Sequence, residues 1–462
     1  MAGCEAAWQL LSRGVGVTMY EMRPASMTGA HTSGGLAELV CSNSLKSLDI
    51  STPAGLLKAE LEALGSFLIR TAKRTAVPAG SALAVDRANF SAAVEAELTA
   101  FPHFKLVRKE VKQLPKNTVT IIATGPLSSA SITGACLQAV SSDITGPFPR
   151  SACAVSSDIA LLCGGETSQA EHRKLTSPLS MPGLNTRPNN LPQDLLFFYD
   201  ATAPIIDAES IDMNIAFFAS RYGKGNPQDY LNLPMNREQY DVFYNALISA
   251  ERVVLKDFEK VGIYEGCMPI EILAARGKDA IRYGPLKPVG LGNGHYAVVQ
   301  LRKENMAGSA YNMVGFQTNL KFGEQQRVFS LIPGLKHAEF LRYGTMHRNT
   351  YLNTPRLKPS LGIYFAGQIT GVEGYVESIM SGLITALNVI GKKPPPPPTA
   401  MCGALINYIN TPSGKFKPMG ANFGLLPPLA DAQKIKDKNS RKIAMAERAL
   451  RDIIEWRSQN EY

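Results

Sequence analysis

Between Gly362 and Ile390 the chain reads GIYFAGQITGVEGYVESIMSGLITALNVI: a short apolar strand, a glycine-rich loop, then a long helix. Few architectures accept that order. Backbone N–H groups converge where the loop meets the helix, and the helix dipole favours negative charge there, so the segment suits a dinucleotide phosphate at the edge of a parallel α/β sheet. Two further pieces have the same character. TVTIIATGP, Thr118 to Pro126, reads as a buried strand ending in a glycine turn. From Gly3 to Pro24, helical periodicity over Glu5 to Leu11 stops at Gly14, and Val15 to Tyr20 alternates as a strand. Glu21 follows Gly3 by eighteen residues. In a Rossmann βαβ unit an acid about 20 residues past the glycine loop binds the adenosine ribose. An ordinary helix–strand pair has the same appearance, and on these residues alone both readings stand. Together the three pieces predict an α/β, FAD-binding Rossmann-like domain built in two parts, with an α+β domain inserted between them.

The expected division is as follows. Residues 1–130 form the first part of the FAD-binding domain. Residues 131–193, rich in Ser, Thr, Pro and Gly and without a clear period, are expected to be a low-complexity, disordered insertion with Cys136, Cys153 and Cys163 incidental. Residues 194–325 form the inserted α+β substrate domain, and 326–398 the second FAD-binding part, closed by a stiff polyproline spacer, KKPPPPP. Residues 399–462 end in a basic helix, with seven Lys/Arg against two acids between Lys434 and Arg451. Ile443, Ala446, Leu450, Ile453 and Ile454 are expected on its packed face. Its basic side is either a solvated surface or an RNA-facing one.

The net charge of +9 favours an anionic partner such as RNA, DNA or a polyanionic cofactor. Seven cysteines with no CxxC pair and no Cys/His cluster at ligand spacing argue against a disulfide framework and against a metal site. No run of eighteen apolar residues and no signal-peptide pattern is present, so the expectation is a cytoplasmic protein off the membrane.

Two thiols have settings that suggest chemistry. LAELVCSNSLKS places Cys41 at the end of an apolar run, followed by Ser42, Asn43 and Ser44. YEGCMPIE places Cys267 after a glycine and near Glu265. A lone cysteine is usually buried filler, whereas one beside turn-forming residues is open to reaction. RYGTMHRNTYLNTPR gathers His347, Arg348, Asn349, Tyr351 and Asn353 with little apolar periodicity, as a ligand-facing loop or edge strand does. Lys287, Gln300 and Arg302 stand in similar settings, as anion ligands or as satisfied strand-end polar groups.

These strings, with YEMRP, VPAGSALAVDR, IIATGP, GPLKPVGL, AVVQLR, VGFQTNLK, FAGQITGVEGYVES and ANFGLLPP, occur in one order over nearly the whole chain outside 131–193. In this the chain resembles the bacterial folate- and FAD-dependent tRNA (uracil-5-)-methyltransferases. The resemblance implies methylation of a uracil C5 in tRNA, at the T-loop uridine of position 54. The carbon would come from 5,10-methylenetetrahydrofolate by way of a flavin that NADPH or NADH reduces. It implies a catalytic pair, Cys41 and Cys267, with Cys267 adding to uracil C6 and Cys41 assisting proton removal at C5. Gly3, Glu21, Arg23, Gly125, Gly367, Gln368, Gly371 and Tyr375 would bind FAD, with Tyr375 stacking on a flat ring. Lys287, His347, Arg348 and Tyr351 would face folate or RNA. The partners would be tRNA, with no DNA and no membrane. The family pattern opens with a strand and a glycine loop of which this chain shows the last glycine; the expectation is therefore of FAD binding weakened or completed by upstream sequence. Relative to the pattern 131–193 is longer and 356–362 shorter. The same chemistry on ribosomal RNA, an RNA-binding relic without FAD, and a small-molecule flavin oxidoreductase are the alternatives.

Overall fold

The computed structural model describes residues 1–115, 118–125, 127–141, 158–163, 195–223, 225–254, 262–263, 267–292, 294–353, 362–391, 394–411, 416–430 and 435–460. A parallel five-stranded sheet runs in the order Ile363–Phe365, Thr120–Ile122, Asp158–Cys163, Gly16–Glu21, Phe104–Val107. Parallel strands are covered on both faces and read as unbroken apolar runs, which explains DIALLC and TII. The helix Tyr375–Gly391 is buried around its whole circumference from Val376 to Leu387, and so lies in the middle of the first core. Gly382 brings it close to the Ala2–Leu11 helix: a Cβ there would fall 2.2 Å from the Ala2 carbonyl oxygen.

The strand Asp158–Cys163 corrects one expectation. The stretch 131–193 was expected to be a disordered insertion, yet it supplies the middle strand of this sheet, with Ile159 and Leu161 in the main core. It also supplies most of the helix Ala130–Ser141, which buries Ile132 and Cys136. Residues 142–157 and 164–194, with Cys153, lie outside the described residues.

The inserted body carries a six-stranded antiparallel sheet, in the order Phe217–Phe218, Tyr230–Met235, Ala297–Lys303, Ala310–Met313, Ile205–Asp207, Phe340–Arg342. The helices Arg237–Ser249 and Phe322–Phe329 close a second core against it. The expected boundary at 325/326 is therefore displaced: Phe340–Arg342 pairs with Ile205–Asp207, and the chain rejoins the parallel sheet only at Ile363. A third, three-stranded sheet, Gly262–Ile263, Leu195–Ala201, Met346–Leu352, sets His347 directly opposite Asp200.

Polar contacts join the two bodies. Asp86 caps the Arg87–Thr99 helix through Asn89 N–H and also accepts from Met306 N–H at 3.1 Å. Arg87 pairs with Glu304 at 2.7 Å, and Asp229 accepts from Gly80 N–H at 2.8 Å.

The C-terminal region packs on the first core. Glu60, fully buried, accepts from the Met401 and Cys402 N–H groups at 2.7 and 2.8 Å and so caps the Met401–Asn410 helix. The polyproline stretch is no free spacer: Pro396 is buried, and the carbonyls of Pro396 and Pro397 crowd Gly403. The basic helix Lys438–Gln459 buries Ala446, Ala449, Ile453 and Trp456. Ile454, expected on the packed face, is 53% exposed. Among the described residues no helix is long and apolar enough to cross a membrane.

Candidate active site

Cys41 sits in a loop, not at the end of a strand or helix; the adjoining strand begins at Ser44. Side chains from four elements fix this loop. Arg87 donates to the Leu39 carbonyl, and Arg342 to the Val40 and Ala30 carbonyls at 3.1 Å each. The Tyr375 hydroxyl oxygen accepts from Cys41 N–H at 2.8 Å and Ser42 N–H at 3.4 Å. Arg302 donates to Asn43 Oδ1 at 2.9 Å and to Ser42 Oγ at 3.0 Å. Asn43 in turn donates to the Val85 and Lys303 carbonyls. The polar run after the thiol is an anchor, and the anion role open to Arg302 is taken by these side chains. Gln300 likewise serves Arg221 and Asn232.

The loop presents Cys41 Sγ 3.2 Å from Asp200 Oδ2, and a His347 ring nitrogen completes a trio whose members all lie within 4.8 Å of one another. Cys267 joins from the inserted body as the neighbour that most affects the Cys41 thiol. Its S–H is the largest influence holding the Cys41 thiol well below its ordinary range, against desolvation and with help from His347 and Asp200. The facing Cys41 sulfur, with burial, pushes Cys267 well above its range. Burial, then the facing Cys41 and Glu373 charges, pushes Asp200 up. Cys41 thus has thiolate character and Cys267 holds its proton.

A second buried network borders the first. Tyr351 donates to Glu373 Oε2, and Gln368 Nε2 donates to both Glu373 oxygens at 2.9 and 3.0 Å and to the Tyr351 hydroxyl at 3.1 Å. Burial raises Glu373 to about 7.

The expected site residues fall into three groups. Cys41, Cys267, His347, Tyr351, Gln368 and Tyr375 gather in and around this cluster. His347, expected to face folate or RNA, stands beside the Cys41 thiol; both its ring nitrogens are buried and make no hydrogen bond of normal geometry among the described residues. Tyr375 holds the Cys41 loop by its hydroxyl. A second group lies at the parallel sheet. Gly3 is in the first turn of the Ala2–Leu11 helix against Leu161 and Cys163. Gly125, in the turn between the Thr120–Ile122 strand and the Ala130–Ser141 helix, and Gly367 and Gly371, in the loop before the Tyr375–Gly391 helix, all have positive φ (+76°, +82°, +92°), a backbone that strains a side chain. Glu21 is engaged by Arg23, accepting at 2.9 to 3.0 Å from its backbone N–H, Nε and Nη2, while Arg23 also pairs with Glu38 at 2.9 Å. The Arg23 guanidinium therefore holds carboxylates, and a ribose would have to share Glu21. The third group stands apart: Lys287 lies over the Tyr222 ring, 6.0 Å from its centroid, and the Arg348 side chain lies outside the described residues, as does Glu265.

Reading residue by residue missed Asp200 and Glu373. The signal for Asp200 was a single acid closing the apolar strand LLFFYDA; at 4% exposure it requires a partner. Glu373 lies between Gly371 and Gly374, in the loop read only for its glycines.

Residues fitting a dinucleotide are present at the C-terminal ends of the parallel strands. A shallow cleft opens there, lined by Met22, Thr124, Ser129, Leu162 and Cys163, and a Cβ on Gly125 would meet open space. Ligands of open α/β sheets bind at that edge. A two-part dinucleotide-binding fold, carrying an inserted α+β body that closes a thiol pair over its glycine loop, defines a flavoprotein-type α/β protein.

Comparison with known proteins narrows the class. The family model described as "Glucose inhibited division protein A" (GIDA) matches residues 1–393. The methylenetetrahydrofolate–tRNA-(uracil-5-)-methyltransferase TrmFO of Heliobacterium modesticaldum is 46% identical over 479 residues, spanning 100% of this chain and 97% of the relative. Those of Moorella thermoacetica, 46% over 100% and 97%, and Geobacter sulfurreducens, 45% over 99% and 96%, are comparable. Aquifex aeolicus GidA in its form II crystal superposes with a TM-score of 0.58 at 15% identity, over 98% of this chain and 72% of that one. The chain belongs to the GidA family and, within it, to the TrmFO group.

Proposed function

We propose that the chain methylates uracil C5 in tRNA, taking the carbon from methylenetetrahydrofolate. The meeting of Cys41, from the dinucleotide-binding part, with Cys267, from the inserted body, carries this reading, together with the TrmFO relatives. Uracil C6 is a conjugate acceptor, to which a thiolate adds reversibly, turning C5 into a nucleophile. In our reading Cys267 is that nucleophile. Its S–H bond breaks as S–C6 forms, and the proton moves to the neighbouring Cys41 sulfur. A thiol with a raised pKa is the stronger nucleophile once its proton has gone. Cys41 gives that proton up to water before C5 loses its own; as a thiolate again beside C5 it takes up the C5 proton and passes it to the Cys267 sulfur as that sulfur leaves C6, which restores the ring. The glycine turns would hold FAD, which would supply reducing equivalents drawn from NADPH or NADH. Gly3, Gly125, Gly367 and Gly371 would let its backbone contacts come close, and Glu21 would share its carboxylate between Arg23 and the ribose. Arg87, Arg302 and Arg342, holding the Cys41 loop, keep three cations near the thiolate. The basic face of the Lys438–Gln459 helix is our candidate for contact with the RNA backbone.

The test supplies unmodified tRNA transcript, NADPH and methylenetetrahydrofolate labelled in its methylene carbon. Label recovered in 5-methyluridine supports the reading. Label in ribosomal RNA transcript alone, or NADPH oxidation without RNA labelling, overturns it.

A further inference from the structure

The thiol pair has a third member. Asp200 closes the strand Leu195–Ala201, at 4% exposure, and the antiparallel pairing sets His347 directly across from it. One carboxylate oxygen, Oδ1, is taken by the N–H of Ala201 at 3.0 Å. That contact turns the other, Oδ2, to Cys41 Sγ at 3.2 Å. A buried carboxyl and a half-buried thiol at that separation cannot both carry charge cheaply, so they divide one proton between them. The opposite displacement of their affinities, the thiol down and the carboxyl up, agrees with such sharing.

We infer that Asp200, steadied by the His347 ring opposite, is a positioning residue that holds the Cys41 proton on its Oδ2 and keeps Cys41 ready to receive the proton of Cys267. The inference deepens the proposed methylation. The relay balances: Cys267 S–H breaks as S–C6 forms, Cys41 sulfur takes that proton, and the Cys41 proton has already passed to the carboxylate. No oxidant or reductant takes part. The groups facing Cys41 from every side are Cys267, His347, Asp200, the Arg342 guanidinium, Glu373 and Tyr375, with Arg87 behind them. Asp200 is the carboxylate among them that contacts the sulfur directly.

The experiment measures the rate of Cys41 alkylation by iodoacetamide against pH in the full chain, with each cysteine followed by peptide mass spectrometry. Asp200→Asn keeps the shape and loses the proton site. The expected result is a Cys41 profile moved to higher pH, with the rate at neutral pH reduced about tenfold or more. His347→Gln is expected to move it less, in the same direction, and bound flavin is expected to be unchanged in both. A merely structural role would not move the pH profile while leaving flavin in place. Superposable profiles for parent and Asp200→Asn would overturn the inference, as would a profile moved by Cys267→Ala alone. If Asp200→Asn does not fold, the His347→Gln profile decides, and no shift there counts against the inference. Alkylation requires neither RNA nor folate, so failure of methyl transfer in the parent would sink the proposed activity separately.

Discussion

Tyr375→Phe separates two roles for one residue. A ring that stacks on a flat ligand would survive the change, since the phenyl face is kept. A hydroxyl that holds the Cys41 loop would not. In the structure that oxygen is the acceptor for Cys41 N–H at 2.8 Å and Ser42 N–H at 3.4 Å. Its removal leaves partly buried donors without an acceptor, at a cost of about 1–3 kcal/mol, nearly all of it on the shorter bond. The loop also retains Arg87, Arg302 and Arg342, so the fold should hold and the loop should shift locally. Since about 1.4 kcal/mol is tenfold in rate, the expected loss in kcat is about tenfold to a hundredfold, with flavin content unchanged. The assay is single-turnover methyl transfer beside the visible absorbance of bound flavin. Parental kcat in Tyr375→Phe would refute the anchoring role and restore stacking as the function of this side chain.

Other consequences concern stability. Leu161→Ala, in the middle strand of the parallel sheet, should cost about 2–5 kcal/mol by urea unfolding; a negligible change would mean that the strand is not part of the core. Gly3→Ala places a Cβ 2.4 Å from Cys163 Sγ and 2.7 Å from Leu161 Cδ2, and should destabilise by about 1–3 kcal/mol. Adding Cys163→Ala should recover part of that loss, and strict additivity of the two changes would argue against the contact. Burial raises Glu60 from 4.5 to about 7. The native state therefore binds a proton that the unfolded chain has released, and stability falls as pH rises from 4.5 through 7. The decline is at most about 3 kcal/mol, and Glu60→Gln should remove it, so equal slopes in the two proteins would contradict the assignment.

Where neighbouring residues decide an element, the sequence is informative. The helix–strand pair from Ala2 to Glu21, the glycine turn at Gly125 and the strand–loop–helix from Ile363 to Gly391 stand where periodicity and glycine place them. The strand Asp158–Cys163 was hidden for a physical reason. Buried on both faces, it has no alternation, and six apolar-rich residues vanish in the average of a Ser- and Pro-rich stretch. The edge strand Phe340–Arg342 was assigned to the wrong body because only its distant partner, Ile205–Asp207, marks it. On the last helix Ala449 and Trp456 are packed and Ile454 is not: the buried face runs through Ala446, Ala449, Ile453 and Trp456, at three- and four-residue steps, and Ile454 falls one residue off it.

The site obeys the same division. Cys41 and Cys267 declared themselves by turn-forming neighbours, but nothing local could say that they meet, or that they do so over Asp200. That acid is set by a cross-strand register: His347 lies opposite Asp200, and a slip of one residue would send one of the two side chains to the other face of its sheet. The thiolate at Cys41 is therefore a property of pairing between Leu195–Ala201 and Met346–Leu352 as much as of the cysteine. Changes remote in sequence that loosen this pairing should weaken Cys41 reactivity before they unfold the chain. Tyr351→Ala is the direct trial. Tyr351 pairs with Leu196, packs edge-on against Phe198 at 5.6 Å and donates to Glu373, without contact to either sulfur. The expected outcome is a Cys41 alkylation profile shifted to higher pH while urea still unfolds the chain in one cooperative step. An unshifted profile would show that the Asp200–His347 register survives without its aromatic support.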